Sequence, residues 1–102
     1  MHAGEESDPA NAAARLRPHK DVVSQRLGEA GVLIDMRSGR MFELNVTGIR
    51  IWELVGEGCS PEDAAARLLQ EFAGDPLELR AEVGALVEEL VREGLLDAEH
   101  RG

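Results

Sequence analysis

The chain has 102 residues, a formal charge of −9 and a hydrophobic share of 43%. That length holds one domain with one core, and an aromatic share of only 3%, with no Tyr, leaves Leu, Val, Ile and Ala to fill it. The acidity opposes nucleic acid and anionic membrane as partners, since both are polyanions, while a single cysteine excludes an internal disulfide and suits a reducing compartment.

Residues 1–20 are rich in Ala, Pro and charge, with one Leu and no apolar period. They read as a mobile N-terminal tail, with at most a turn of helix through residues 11–15. Glu5, Glu6 and Asp8 stand where the basic region of a signal peptide would lead into an apolar run. No stretch approaches membrane-spanning length, so the cytoplasm is the expected location. The folded domain is expected over residues 21–97, with a short C-terminal tail at 98–102.

Within that domain, Val22 to Leu27 predicts a first strand, and the glycine-rich segment from Gly28 to Gly31 a turn. Residues 32–36 predict a second strand, with Val and Ile raising strand propensity. Arg37-Ser38-Gly39-Arg40 closes a hairpin, Gly39 supplying the positive φ such turns need. Residues 41–44 predict a third strand. Three strands joined by tight turns form an antiparallel meander whose last strand lies at an edge, open to capture an extended peptide.

Asn45 or Thr47 caps the first helix, which carries Ile51 and Trp52 and ends at Gly56 and Gly58. Ser60-Pro61-Glu62-Asp63 is a second start signal: a capping Ser, Pro at the first helical position and acid behind it. Ala65, Leu68, Leu69 and Phe72 then repeat with helical period as one buried face. Asp75-Pro76-Leu77-Glu78 starts a third helix by the same logic. Its core face is read as Leu79, Val83, Leu86 and Leu90, with Gly84, Val87 and Val91 as a second apolar stripe. The element order is βββααα, an α+β domain of winged-helix-like content, a three-stranded antiparallel sheet followed by three helices.

Little catalytic chemistry is present. His2, His19 and His100 sit far apart, and no CxxC or HxxxH spacing exists to hold a metal. Cys59 stands near a helix N-terminus but has no neighbouring histidine to serve as base, so a small loop residue is the simpler reading. The acids of the last two helices lie opposite the apolar stripes and read as a solvated face rather than acid–base pairs. Trp52 between Ile51 and Leu54 reads as core. There is no cofactor motif and no glycine-rich phosphate loop.

Two features stand above this background. One is the edge strand from Arg40 through Met41, Phe42, Glu43 and Leu44. The other is the double stripe of the third helix, where Arg80, Val83, Gly84 and Val87 lie on adjoining turns and would form a shallow apolar trough with a cation at one end. Gly84 costs about 1 kcal/mol inside a helix relative to Ala. Close approach of a peptide explains that cost, and dense core packing explains it equally.

The sequence resembles the PqqD family, the peptide chaperones of pyrroloquinoline quinone biosynthesis, and the wider class of RiPP recognition elements. The resemblance is carried by Val32-Leu33-Ile34-Asp35, Ser38-Gly39-Arg40, Leu44-Asn45, Thr47-Gly48 and Ile51-Trp52-Glu53-Leu54. Gly58, Leu68, Phe72 and Glu93-Gly94-Leu95-Leu96 complete it. It implies a small winged-helix-like domain without catalysis of its own. Such domains bind the leader segment of a ribosomally made precursor peptide as an added strand beside the third strand and against the third helix. They present it to a maturation enzyme such as a radical SAM protein or a lasso-type protease. The competing reading is a winged-helix DNA-binding regulator. That function needs a basic recognition helix, whereas the third helix carries Glu78, Glu82, Glu88, Glu89 and Glu93 against Arg80 and Arg92.

Overall fold

Short apolar runs between Val22 and Leu44, separated by tight turns, build the central sheet of the molecule. The computed structural model describes residues 15–99. In chain order the elements are β1 (Arg15–Pro18), β2 (Val22–Leu27), β3 (Ala30–Asp35), β4 (Arg40–Leu44), α1 (Val46–Gly56), α2 (Pro61–Glu71), α3 (Pro76–Arg92) and β5 (Leu96–Glu99). Strands β2, β3 and β4 form an antiparallel meander in that order, and β1 pairs with β5 in a separate two-stranded sheet. The winged-helix-like core of three strands and three helices is as the sequence reading expects. Gly39, at φ +79°, closes the β3–β4 loop, where its amide donates to the Asp35 carbonyl at 2.7 Å.

Register fixes the two faces of the sheet. The rows Ser24–Leu33–Phe42 and Arg26–Gly31–Leu44 point one way, and the rows Val23–Ile34–Met41 and Gln25–Val32–Glu43 the other. Leu33 is fully buried and Leu44 nearly so, while Val23 and Met41 are 48% and 63% exposed. The helices therefore cover the first face.

Helix α1 runs through the centre and is buried on most sides, at Ile49, Ile51, Trp52, Leu54 and Val55. It comes close to the sheet because Gly31 has no side chain: a Cβ there would lie 2.7 Å from Ile49 Cγ1 and Cδ1. The Asn45 side chain accepts from the Gly48 amide at 2.8 Å, settling the choice of cap between Asn45 and Thr47. Ser60 caps α2 by accepting from Asp63 N at 3.0 Å, and Asp75 caps α3 ahead of Pro76. The core face of α2 is Ala64, Ala65 and Leu68, displaced around the helix from the expected stripe, so that Leu69 is exposed. Leu95 and Leu96 close the core below α3.

Both boundaries of the domain differ from the sequence reading. Residues 15–18, assigned there to the tail, are β1. Arg15 stands opposite Glu99 and Pro18 opposite Leu96, and Leu16 packs against the core. The His19 amide extends this contact by donating to the Leu95 carbonyl at 2.9 Å. The strand carries one large apolar side chain and finds its partner at the far end of the domain, so no local pattern marks it. Ala98 and Glu99, assigned to the C-terminal tail, belong to β5. Residues 1–14 and 100–102, with His2, His100 and the expected turn of helix at 11–15 save for Arg15, lie outside the described residues. Among the described residues no helix is long and apolar enough to cross a membrane.

Candidate groove between the sheet edge and the third helix

The meander leaves β4 with one neighbour, β3. In an antiparallel ladder alternate residues bond to alternate sides. The two-residue turn between Leu27 and Ala30, and the Met36 amide donating to the Asp21 carbonyl at 2.9 Å, direct the even-numbered residues of β3 toward β2. Its odd-numbered residues, Gly31, Leu33 and Asp35, are then the ones that bond to Leu44, Phe42 and Arg40. It follows that the N–H and C=O groups of Met41 and Glu43 point away from the sheet, toward the open edge.

That edge faces a groove of about 710 Å³, lined by Met41 to Asn45, by Gly48 and Ile51 of α1, and by Glu82, Ala85, Leu86, Glu89 and Leu90 of α3. Phe42 and Leu44 are on the helix side of β4, so the floor is apolar. The wall on α3 is one stripe, residues 82, 85, 86 and 89 recurring at helical spacing.

One end of the groove is pinned. Arg40 Nη1 donates to Glu93 Oε1 at 3.0 Å, and the same guanidinium lies 4.7 Å from the centre of the Phe42 ring. Nearby, the buried Asp35 carboxylate accepts from Arg37 Nε at 2.9 Å and from Arg37 Nη2 at 3.0 Å. It also accepts from the Arg37 amide at 3.0 Å. The Arg37 side chain holds the Asp35 carboxyl below the usual carboxylate range, and Arg37 Nη2 also donates to the Gly94 carbonyl at 2.8 Å. The β3–β4 hairpin is thus tied to the C-terminal end of α3 at two points, which sets the width of the groove there. Elsewhere Glu53 accepts from both Arg26 and Arg50, and Glu71 from Arg50. These arginines hold both carboxyls below their usual range and join β2, α1 and α2.

The residues expected to bind peptide divide. Met41, Phe42, Glu43 and Leu44 line the groove and Arg40 stands at its end. On α3 the structure corrects the expected trough. Val83 and Val87 are buried in the core, while Arg80 and Gly84 are exposed and outside the groove lining. The core stripe is Leu79, Val83, Val87 and Leu90. Leu86, read as core, is half-buried and faces the groove. Two apolar stripes one residue apart look alike in the sequence, and only packing against α1 and the sheet decides which goes inside. The unread signal was Ala85-Leu86 between Glu82 and Glu89, a narrow apolar strip flanked by acid.

Dense core packing does not explain Gly84. A Cβ at this position would meet nothing within 4 Å. Gly84→Ala is therefore expected to raise the stability by about 1 kcal/mol through helix propensity alone. Denaturant unfolding measures the gain, and peptide binding should not change with it.

Other chemistry is sparse. Among the described residues no three His, Cys, Asp or Glu side chains gather as metal ligands, and His19 Nδ1 accepts from the Asp21 amide at 3.0 Å. Cys59 is half-buried beside a smaller cavity of about 360 Å³ between β1 and the α1–α2 loop, with no histidine in its lining. The acids of α3 repel a polyanion, so nothing favours the DNA-binding alternative.

A family model described as coenzyme PQQ synthesis protein D (PqqD) matches residues 30–96. The fold is also that of TbiB1 in complex with the TbiA(beta) leader peptide, at 27% identity and a TM-score of 0.72, covering 79% of this chain and 94% of that one. A lasso peptide synthetase B1 complexed with the leader peptide is equally similar, at 29% identity and a TM-score of 0.72, covering 81% and 98%. Against curated protein sequences the chain finds no match.

Proposed function

The chain belongs to the coenzyme PQQ synthesis protein D (PqqD) family, and from that premise we propose that it is a non-catalytic adaptor for a precursor peptide. The leader segment of a ribosomally made precursor adds as a strand to β4, along Arg40, Met41, Phe42, Glu43 and Leu44. It lies in the groove against α3 and is handed to a maturation enzyme such as a radical SAM protein or a lasso-type protease. One observation carries the reading: the outward backbone groups of Met41 and Glu43 open onto a groove with an apolar floor. Two structural relatives with leader peptides bound support it.

The physics suits a peptide of varied sequence. Backbone pairing supplies affinity that does not depend on side chains, and pockets for alternate side chains supply selection. Phe42, Leu44, Ile51, Leu86 and Leu90 supply the pockets. The groove side chains include neither a nucleophile with its base nor a ligand set for a metal, so they hold a peptide without attacking it. Calorimetric titration with the leader encoded beside this gene tests the proposal. We expect a one-to-one complex in the range of roughly micromolar to nanomolar, with no change to the leader on prolonged incubation. Absence of heat with every leader encoded nearby, together with unchanged amide spectra, would refute it.

A further inference from the structure

Strand addition explains why a peptide binds but not which peptide, and the side chains around the groove bear on that. Its floor is apolar, at Phe42, Leu44 and Leu86, while its rim carries three carboxylates: Glu82 and Glu89 on α3 and Glu43 on β4. No Lys or Arg is among the lining residues. The acids elsewhere that face an arginine are paired with it, as Glu53 is with Arg26, Glu71 with Arg50 and Glu93 with Arg40. Among the described residues the side-chain carboxylates of Glu43, Glu82 and Glu89 have no ion-pair or hydrogen-bond partner. The groove therefore offers its occupant a greasy floor between unneutralised negative walls.

We propose that this groove selects a leader in which apolar residues facing the floor are flanked by Lys or Arg. The inference rests on the strand-addition reading and adds the charge of the occupant. A strand beside β4 has two sets of side chains. The inward set enters the floor beside Leu86, with Glu82 and Glu89 about 10 Å apart along the helix, within reach of long basic side chains on either flank. The outward set continues the rows of the open sheet face, one position standing beside Met41 and another beside Glu43. A cross-strand neighbour of Glu43 is favoured when basic and disfavoured when acidic. The net charge of −9 adds attraction at long range that speeds encounter. An acidic leader meets repulsion at all three carboxylates.

Three synthetic peptides test this, each alternating Leu with a second residue: Ser throughout, Lys at two of the intervening positions, or Glu at the same two. Affinity is read by fluorescence anisotropy, and placement by the amide resonances of Met41 and Glu43 in the intact protein. The Lys peptide is expected to bind about tenfold more tightly than the Ser peptide at low salt and the Glu peptide most weakly, the spread shrinking as salt rises. Replacing Glu43, Glu82 and Glu89 with Gln should abolish the preference. An equal change of charge away from the groove, at Glu29, Glu57 and Glu62, should largely preserve it. Equal binding of Lys and Ser peptides with the β4 amides perturbed overturns the charge selection alone. A Lys preference that survives the rim substitutions also overturns it, by assigning the effect to net charge. Undisturbed β4 amides with all three peptides overturn both this inference and the strand-addition reading beneath it.

Discussion

Glu43→Pro is expected to weaken leader binding by roughly tenfold to a hundredfold, about 1–3 kcal/mol, and to leave the domain folded. Proline removes the backbone N–H and puts a ring in its place. At Glu43 that N–H points to the open edge, because the ladder to β3 uses Phe42, Leu44 and Arg40. No bond within the sheet is lost, and an edge strand tolerates proline where its N–H faces outward. An added peptide, by contrast, loses a partner for one of its carbonyls and meets the ring. Phe42→Pro sits one residue away and should do the reverse, breaking the pair with Leu33 and unfolding the hairpin. Glu43→Gln separates the charge from the N–H, since it keeps the amide. Calorimetry for the leader and circular dichroism melting for the fold distinguish these outcomes. Full affinity in a folded Glu43→Pro protein would place the peptide elsewhere.

Gly31→Val should have the largest effect on stability, about 3 kcal/mol. Already a Cβ at Gly31 would stand 2.7 Å from two carbons of Ile49 and 3.0 Å from the Gln25 carbonyl. The carbonyl belongs to the β2–β3 ladder and cannot yield. Ile49 is fully buried under the core and cannot swing aside. Accommodation then requires α1 to lift from the sheet, opening the contacts of Trp52 and Leu54 as well. A domain of this length has about 5–15 kcal/mol in total, so the variant is expected to stay mostly folded but to unfold at clearly lower denaturant and temperature. Ile49→Ala vacates the space, and the double variant should lose about 1–2 kcal/mol less than the sum of the two single losses. Strict additivity in denaturant titrations would show that the crowding lies elsewhere.

The parts of this molecule that could be read from sequence are those with local causes. The meander follows from short apolar runs of strand-forming residues and the Gly39 turn, the helix starts from Asn45, Ser60-Pro61 and Asp75-Pro76, and the open edge from β4 being the last strand before a helix. The edge strand and the groove side of the sheet were therefore legible. The opposite wall was not. On α3, Leu86 and Val87 are neighbours about 100° apart on the helix surface, equally apolar, and the choice between them is made by α1 and the sheet. Reading Val87 as groove and Leu86 as core inverted their places, and Gly84 is not among the residues that line the groove. Strand β1 was invisible for a different reason, since Arg15-Leu16-Arg17-Pro18 becomes a strand only beside residues 96–99.

That pairing governs how the domain joins to anything else. Because Arg15 stands opposite Glu99, the described part of the chain begins and ends at one place, across the width of two hydrogen-bonded strands. Polypeptide attached before β1 or after β5 starts from the same point in space, so fusion at either end should present the groove in the same orientation. Inserted into a loop of a larger enzyme, the domain would need little more room than the gap between neighbouring strands. A short linker from residue 99 back to residue 15 would close the backbone of the described residues into a circle, leaving new termini to be opened in the α1–α2 loop at Glu57-Gly58, outside the open edge strand β4.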